Sequence, residues 1–110
     1  MSETGEEIFQ QKWKKLLDPS HMEHEEIIWF LQTNPNPLSV PYLRKAIELK
    51  PSLEYLDYDD YGAYYKRCLW ALSAINTEES IVLIRECAES DIPELKDQAI
   101  HRLKRISEKS

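Results

Sequence analysis

Two short segments decide the fold that this sequence predicts: LRKAIE at residues 43–48 and IRECAE at residues 84–89. A second pair can be aligned in the same way, CLWALSAI at 68–75 and AIHRLKRI at 99–106. The first pair is 41 positions apart and the second is 31 positions apart, so the first unit carries about ten extra residues between its helices. A repeat of this length indicates stacked helical hairpins, and an insertion in one repeat often lies on the binding face.

Apolar side chains recur at helical spacing in six segments, which predicts an all-α protein. The segments pair into hairpins at 6–33, 39–75 and 77–108, and the three hairpins form a single domain over residues 1–110. The side chains expected to face the core are Ile8, Phe9, Trp13, Leu16, Leu17, Ile27, Ile28, Trp29, Phe30, Leu31, Leu43, Ala46, Ile47, Leu53, Leu56, Tyr64, Tyr65, Cys68, Leu69, Leu72, Ile75, Ile81, Ile84, Cys87, Ala88, Leu95, Ala99, Ile100, Leu103 and Ile106.

Helix ends are predicted from local residue types. Pro19 ends the first helix, because a residue that precedes proline is pushed out of helical geometry. Ser20, followed three residues later by Glu23, predicts a capping box at the start of the second helix. Ser39 and Thr77 are expected to cap the third and fifth helices.

The third hairpin resembles a HEAT repeat. The residues that carry the resemblance are Ile81, Leu83, Ile84 and Ala88 in its first helix, Asp91, Ile92 and Pro93 in the turn, and Ala99, Leu103 and Ile106 in its second helix. Residues 40–75 are similar apart from the insertion, so the resemblance covers about two thirds of the chain. It implies a short right-handed solenoid of three antiparallel hairpins that binds proteins along a helical face, with no shared catalytic residues.

The charge balance favours a protein as the partner. The chain has 14 Lys and Arg residues against 20 Asp and Glu residues, which gives a formal net charge of −6. Nucleic-acid binders gain much of their affinity by neutralising phosphates with basic side chains, so an acidic chain is better suited to a basic protein. Nucleic-acid binding would have to use the last helix, through Arg102, Lys104 and Arg105.

The inserted residues 52–61 are the first candidate binding site. Between Glu54 and Tyr65 the sequence has four carboxylates and five tyrosines, with no basic residue among them. Tyrosine is a frequent anchor residue in interfaces, and carboxylates steer a basic partner. As an alternative, the tyrosines only pack the insert onto the helices. The expected site residues are Asp57, Tyr58, Asp59, Asp60 and Tyr61, flanked by Trp70.

These features together favour a non-catalytic protein-binding module. The more specific hypothesis is an inhibitor or immunity-type protein that occludes the basic active site of a toxin such as a nuclease. In that hypothesis Tyr58 and Tyr61 are anchors, and Asp57, Asp59 and Asp60 mimic phosphates. The alternative is a scaffold or accessory subunit of a larger complex that binds through its helical faces. The oligomeric state stays open.

No sequence pattern predicts catalysis, a cofactor or a metal site. The chain has no glycine-rich phosphate loop and no nucleophile motif. His21 and His24 share one helix face but lack a third ligand, and Cys68 and Cys87 are expected as reduced core residues. The acidic N-terminus has no signal-peptide pattern, and no apolar run reaches the roughly 18 residues of a membrane span. We therefore expect a cytoplasmic protein.

Overall fold

The computed structural model describes residues 5–53 and 62–109, which form six α-helices and two short 3-10 helices without a β-strand. The α-helices are α1 (Gly5–Leu16), α2 (His24–Thr33), α3 (Val40–Leu49), α4 (Ala63–Ile75), α5 (Glu78–Cys87) and α6 (Pro93–Lys109). The 3-10 helices, Pro37–Ser39 and Lys50–Ser52, flank α3. The all-α class predicted from the periodicity of apolar residues is confirmed.

Helix α4 lies at the centre of the packing. It contacts α2, α3, α5 and α6, whereas α1 contacts α2 and α3. The principal extents are 44 × 35 × 17 Å. The shortest extent corresponds to about two packed helices, because helix axes pack roughly 8–10 Å apart. A flat assembly of this kind leaves large helix faces available to solvent.

The buried face of α4 supplies much of the core. Tyr64 and Tyr65 are almost fully buried, and the Tyr64 hydroxyl donates a hydrogen bond of 3.0 Å to the carbonyl oxygen of Ala46. This bond satisfies a phenol that would otherwise destabilise the interior. The other residues predicted for this face are buried as well: Cys68, Leu69, Leu72 and Ile75.

Helix α2 begins later than the sequence predicts. It starts at His24, and Glu23 occupies the N-cap position without a side-chain hydrogen bond to the helix end. The Ser20 backbone N–H and hydroxyl donate instead to Oδ1 of Asp18, at 2.9 and 2.6 Å. The predicted capping box of Ser20 and Glu23 is therefore wrong, because Asp18 offers Ser20 an acceptor within the preceding turn.

Ser39 also has a role that differs from the predicted one. Its side chain makes no cap to α3; it is buried, and its Oγ accepts a hydrogen bond of 2.8 Å from Nε1 of Trp13. The side chain of Asn36 caps the preceding 3-10 helix by accepting from the Leu38 backbone N–H. The predicted cap is wrong because the Ser39 hydroxyl accepts a hydrogen bond from the buried indole of Trp13 and none from the backbone of α3.

The turn between α4 and α5 follows the prediction. Oγ1 of Thr77 accepts from the Ser80 backbone N–H at 3.2 Å, and Oγ of Ser80 accepts from the Thr77 backbone N–H at 2.8 Å. Asn76, just before this capping box, has a φ of +53°. Asparagine tolerates this left-handed conformation better than most residues, so both turn residues suit their positions.

Three apolar residues predicted for the core lie at the surface instead. Trp29 is 57% exposed, Ile100 is 48% exposed and Ile8 is 36% exposed. Trp29 directly follows the fully buried Ile28, and Ile100 directly follows the fully buried Ala99. Successive residues point about 100° apart around a helix, so a continuous apolar run cannot place all its side chains inside. The prediction that α2 is buried on more than one side is wrong at Trp29.

Candidate functional site

Most of the site predicted from the insert cannot be compared with the structure. Asp57, Tyr58, Asp59, Asp60 and Tyr61 all lie outside the described residues. Leu56, predicted to pin the insert to the helices, lies outside them too. Binding through the insert therefore stays a prediction.

Leu53 and Gly62, the described residues on either side of positions 54–61, are both buried. Leu53 is 2% exposed, as predicted. Gly62 has a φ of +78°, and a Cβ built on it would lie 3.1 Å from Cβ of Glu94 in α6. A larger residue would be strained in this conformation and would press against α6.

Trp70, the remaining predicted site residue, is partly exposed on α4. Nζ of Lys66 lies 4.8 Å from the centroid of its ring, and Cζ of Arg102 lies 5.4 Å from it. Both distances are within the range of cation–π contacts. An open groove of about 510 Å³ adjoins the ring. We call it the Trp70 groove, and its lining residues are Gln32, Trp70, Ser73, Ala74, Asn76, Arg102 and Ile106.

Arg102 has an incomplete set of partners in this groove. Its Nε is buried and has no hydrogen-bond partner among the described residues. Within residues 5–53 and 62–109, no carboxylate forms an ion pair with it. Burial, and to a lesser extent the nearby charge of Arg105, lowers the pKa of the Arg102 guanidinium. An arginine nevertheless remains charged at neutral pH, so the groove contains a partly desolvated cation.

A larger groove lies on α2, where the sequence predicted core. Its volume is about 700 Å³, and it contains two strongly exposed apolar side chains, Trp29 at 57% and Met22 at 72%. We call it the Trp29 groove. Its lining residues are Lys12, Met22, Glu25, Glu26, Trp29, Phe30 and Arg67, so that α1, α2 and α4 all contribute.

An ion pair and a cation–π contact connect the helices that line the Trp29 groove. Nε of Arg67 on α4 lies 2.9 Å from Oε2 of Glu25 on α2. Nζ of Lys12 on α1 lies 5.2 Å from the centroid of the Phe30 ring. Glu26, in contrast, is exposed and makes no ion pair with any other described residue. The groove therefore combines an apolar surface with a border of two acidic and two basic residues, in which Glu26 is the acid that forms no ion pair with another described residue.

The two grooves adjoin along one seam of the molecule. Trp29 and Gln32 are three residues apart on α2, and Arg67 and Trp70 are three residues apart on α4. Residues at this spacing share a helix face, and α2 packs against α4. The α2–α4 seam thus presents the exposed Trp29 and the partly exposed Trp70 on the same pair of helices.

The sequence contained a signal for the exposed position of Trp29 that the prediction did not use. Its neighbours at three and four residues in both directions are Glu25, Glu26, Gln32 and Thr33, which are all polar. Those neighbours share its helix face. The apolar run of α2 obscured this polar stripe.

The stacked pair His21 and His24 has a structural role. Their ring centroids are 4.2 Å apart. Nδ1 of His21 accepts from the Glu23 backbone N–H at 3.0 Å, and Nε2 of His24 donates to the Asp18 carbonyl oxygen at 2.8 Å. Burial lowers the pKa of His24. In the part of the chain that the structure describes, no three His, Cys, Asp or Glu side chains are grouped closely enough to hold a metal ion.

Cys68 and Cys87 are buried free thiols, in agreement with their prediction as core residues. Burial raises the pKa of the Cys87 thiol to about 11 and raises that of Cys68 further above its usual range. Both thiols are therefore protonated at neutral pH, and neither is a candidate nucleophile, because the thiolate is the reactive form.

Comparisons with known proteins add no assignment to this geometry. No protein-family model, no curated protein and no solved structure matches the chain. Among the helices described, none is both long enough and apolar enough to cross a membrane. The surface chemistry of the α2–α4 seam is thus the basis for a functional proposal.

Proposed function

We propose that this chain is a non-catalytic protein-binding module that holds its partner on the α2–α4 seam, with Trp29 as the anchor. The observation that carries the proposal is the exposure of Trp29 at 57% beside Met22 at 72%. Trp and Met are enriched in protein interfaces, and charged residues form their rim. An exposed apolar patch with a polar border therefore supports a binding role.

The helix contacts support a HEAT-like stack of the three hairpins as part of this proposal. α2, α4 and α6 are in contact in that order, and so are α1, α3 and α5. Helices related by the sequence repeat adjoin each other: Nη1 of Arg44 on α3 pairs with Oε2 of Glu86 on α5 at 2.7 Å. In a short right-handed solenoid of this kind, α2, α4 and α6 would form one continuous binding face.

Glu26 at the border of the Trp29 groove, together with the charge of the whole chain, favours a basic partner. Glu26 is exposed at the rim, and the whole chain has a net charge of −6. We expect the partner to place an apolar side chain against Trp29 and Lys or Arg residues near Glu26. Opposite charges across the rim would speed association and fix the register. This corresponds to the scaffold or accessory-subunit hypothesis.

The inhibitor hypothesis places the site on the insert instead. It is favoured by the uninterrupted acidic and tyrosine-rich sequence between two firmly held residues, Leu53 and Gly62. Tyr58 and Tyr61 would then be the anchors. Both hypotheses predict a basic protein partner, so the experiment has to locate the site as well as find the partner.

Affinity capture from the lysate of the native host, with the bound proteins identified by mass spectrometry, tests the proposal. The wild type is compared with a Met22→Ser, Trp29→Ser variant and with a Tyr58→Ala, Asp59→Ser, Asp60→Ser, Tyr61→Ala variant. Val82→Ser on α5 is the matched control, because Val82 is also an exposed apolar residue, at 41%, and α5 has no part in the seam.

We expect the partner to be lost only from the Met22→Ser, Trp29→Ser variant, and circular dichroism should show that this variant is folded. Loss from the insert variant alone would instead support the inhibitor hypothesis. Capture of the same partner by all four proteins would contradict both sites.

A further inference from the structure

The Trp70 groove has a charge opposite to that of the whole chain. Among the described residues its lining includes Arg102 and no carboxylate, and Nζ of Lys66, which is not itself a lining residue, lies 4.8 Å from the centroid of the Trp70 ring. The chain has a net charge of −6, whereas Arg102 is the one charged side chain among the described lining residues, so the groove is opposite in charge to the chain as a whole. Such a local excess of positive charge attracts an anionic group.

Arg102 is suited to a carboxylate in particular. Its contact with Trp70 holds the guanidinium at the groove, and none of the described carboxylates pairs with it. The guanidinium presents its N–H donors as a planar fork that matches the two oxygens of a carboxylate. Its Nε has no hydrogen-bond partner in the part of the chain that the structure describes, and a buried donor left in this way is destabilising. An incoming acceptor would therefore improve the environment of Arg102.

The rest of the lining matches a peptide better than a nucleic acid. Gln32, Ser73 and Asn76 can exchange hydrogen bonds with a peptide backbone, and Ala74 and Ile106 offer apolar contacts. Nucleic acids are held mainly by neutralising many phosphates along the backbone. Two cations at one ring are too few for that purpose, whereas one carboxylate requires only one fork.

We infer that the Trp70 groove binds an acidic protein segment, in which an Asp or Glu carboxylate pairs with Arg102 and an adjacent apolar side chain packs near Ile106 and Trp70. This inference goes beyond the proposed function, because it assigns a second ligand of opposite charge to a second groove. It does not depend on Trp29. A module with both grooves would join a basic surface and an acidic segment.

A peptide titration tests the inference on the full chain. The probes are a short synthetic peptide rich in Glu and Leu, with an amidated C-terminus so that its only carboxylates are side chains, and a matched peptide in which Lys replaces every Glu. Calorimetry or tryptophan fluorescence measures affinity at low and at physiological salt. We expect binding of the Glu peptide, which weakens as salt increases, and no binding of the Lys peptide.

Variants locate the binding. We expect Arg102→Gln to weaken affinity for the Glu peptide by roughly tenfold to a hundredfold, the range for a lost charge-assisted hydrogen bond. Arg102→Lys, which keeps the charge but not the fork, should show a smaller loss and serves in place of Arg102→Gln if the latter does not fold. Arg85→Gln is the matched control, because Arg85 is an exposed arginine on α5. Trp29→Ala should bind normally, which separates this inference from the proposed function.

Several results would overturn the inference: equal affinity for both peptides, no measurable affinity for the Glu peptide, or unchanged affinity in both Arg102 variants. A duplex DNA oligonucleotide that binds more tightly than the Glu peptide, and that depends on Arg102, would assign the groove to nucleic acid instead.

Discussion

Trp13 and Trp29 were both predicted for the core but occupy opposite environments. Trp13 shares a helical stripe with Phe9, Leu16 and Leu17, and Trp29 lies within the apolar run of residues 27–31, yet Trp13 is 5% exposed and Trp29 is 57% exposed. The Trp13 indole donates to Oγ of Ser39, and its ring stacks on Tyr42 with centroids 4.5 Å apart. Burial of a tryptophan thus depends on a partner for its N–H and a surface for its ring, both of which come from distant parts of the chain.

The comparison separates residues that stabilise the fold from residues that are available for binding. Trp13 connects α1 to the start of α3 and fills the interior. Trp29 contributes a large apolar area that the core does not use. Because hydrophobic burial is the dominant favourable term in folding, an exposed tryptophan adds little to stability. The predictions below test this separation, from the largest expected effect to the smallest.

Replacing Trp13 should have the largest effect on stability. Trp13→Ala removes a buried ring and leaves a cavity, so we expect a loss of about 3–5 kcal/mol in the free energy of unfolding. Urea denaturation followed by circular dichroism measures this loss. Trp13→Phe, which keeps an aromatic ring, should be less destabilising. A loss below about 1 kcal/mol for Trp13→Ala would mean that Trp13 is no more structural than Trp29.

Removing the acceptor of the Trp13 indole should have a smaller effect. Ser39→Ala leaves the buried Nε1–H of Trp13 without its partner, which costs about 1–3 kcal/mol. Ser73→Ala on α4 is the control, because Ser73 is partly exposed, and we expect a change within about 0.5 kcal/mol. Equal stability of the two variants would contradict the structural role of the Trp13–Ser39 hydrogen bond.

The next prediction concerns the pH dependence of stability. It rests on His24, which lies on the buried side of α2, the helix that exposes Trp29. Burial lowers the pKa of His24 from the ordinary value of 6.5. In the pH interval just below 6.5, the His24 imidazole is therefore protonated more readily in the unfolded chain than in the folded protein. Stability should therefore be fully present above 6.5 and should decrease as the pH falls through that interval. Urea midpoints across this range measure the effect. His24→Gln, which cannot titrate, should flatten the dependence.

Trp29→Ala should have the smallest effect on stability, within about 0.5 kcal/mol, because the ring is mostly in solvent and alanine is a good helix former. Urea denaturation measures the change in stability. Acrylamide quenching of the wild type and the variant should show that the fluorescence lost with Trp29 comes from a ring that is accessible to solvent. A destabilisation comparable to that of Trp13→Ala would show that Trp29 is needed for folding, and the binding proposal would then lose its main support.

Local sequence patterns were sufficient for the elements with one clear apolar stripe. Every α4 residue predicted for the stripe from Tyr64 to Ile75 is buried, because its period agrees with a single buried face, and Ala71, which was not predicted, is buried as well. The cap at Thr77 was also predicted, since both of its partners lie within one turn. The cap at Ser39 failed for the opposite reason: its partner, Trp13, is 26 residues away, and no local pattern encodes that contact.

The candidate site was predictable only in part. Trp70 was singled out from the sequence, and Lys66, four residues before it, shares its helix face. Arg102 reaches the same ring only because α4 packs against α6, so a tertiary contact creates the cationic groove. The Trp29 groove was missed because an apolar run was interpreted as core, although the polar residues around Trp29 indicated an exposed face.

The two buried thiols described above have a consequence for chemical labelling. Cys68 and Cys87 are protonated and largely inaccessible at neutral pH, and maleimide reagents react with the thiolate form of exposed cysteines. A cysteine introduced at the solvent-facing position of Met22 would therefore react much faster than either native thiol. A Met22→Cys variant can thus carry a single spectroscopic probe beside Trp29, and the two native cysteines need not be removed.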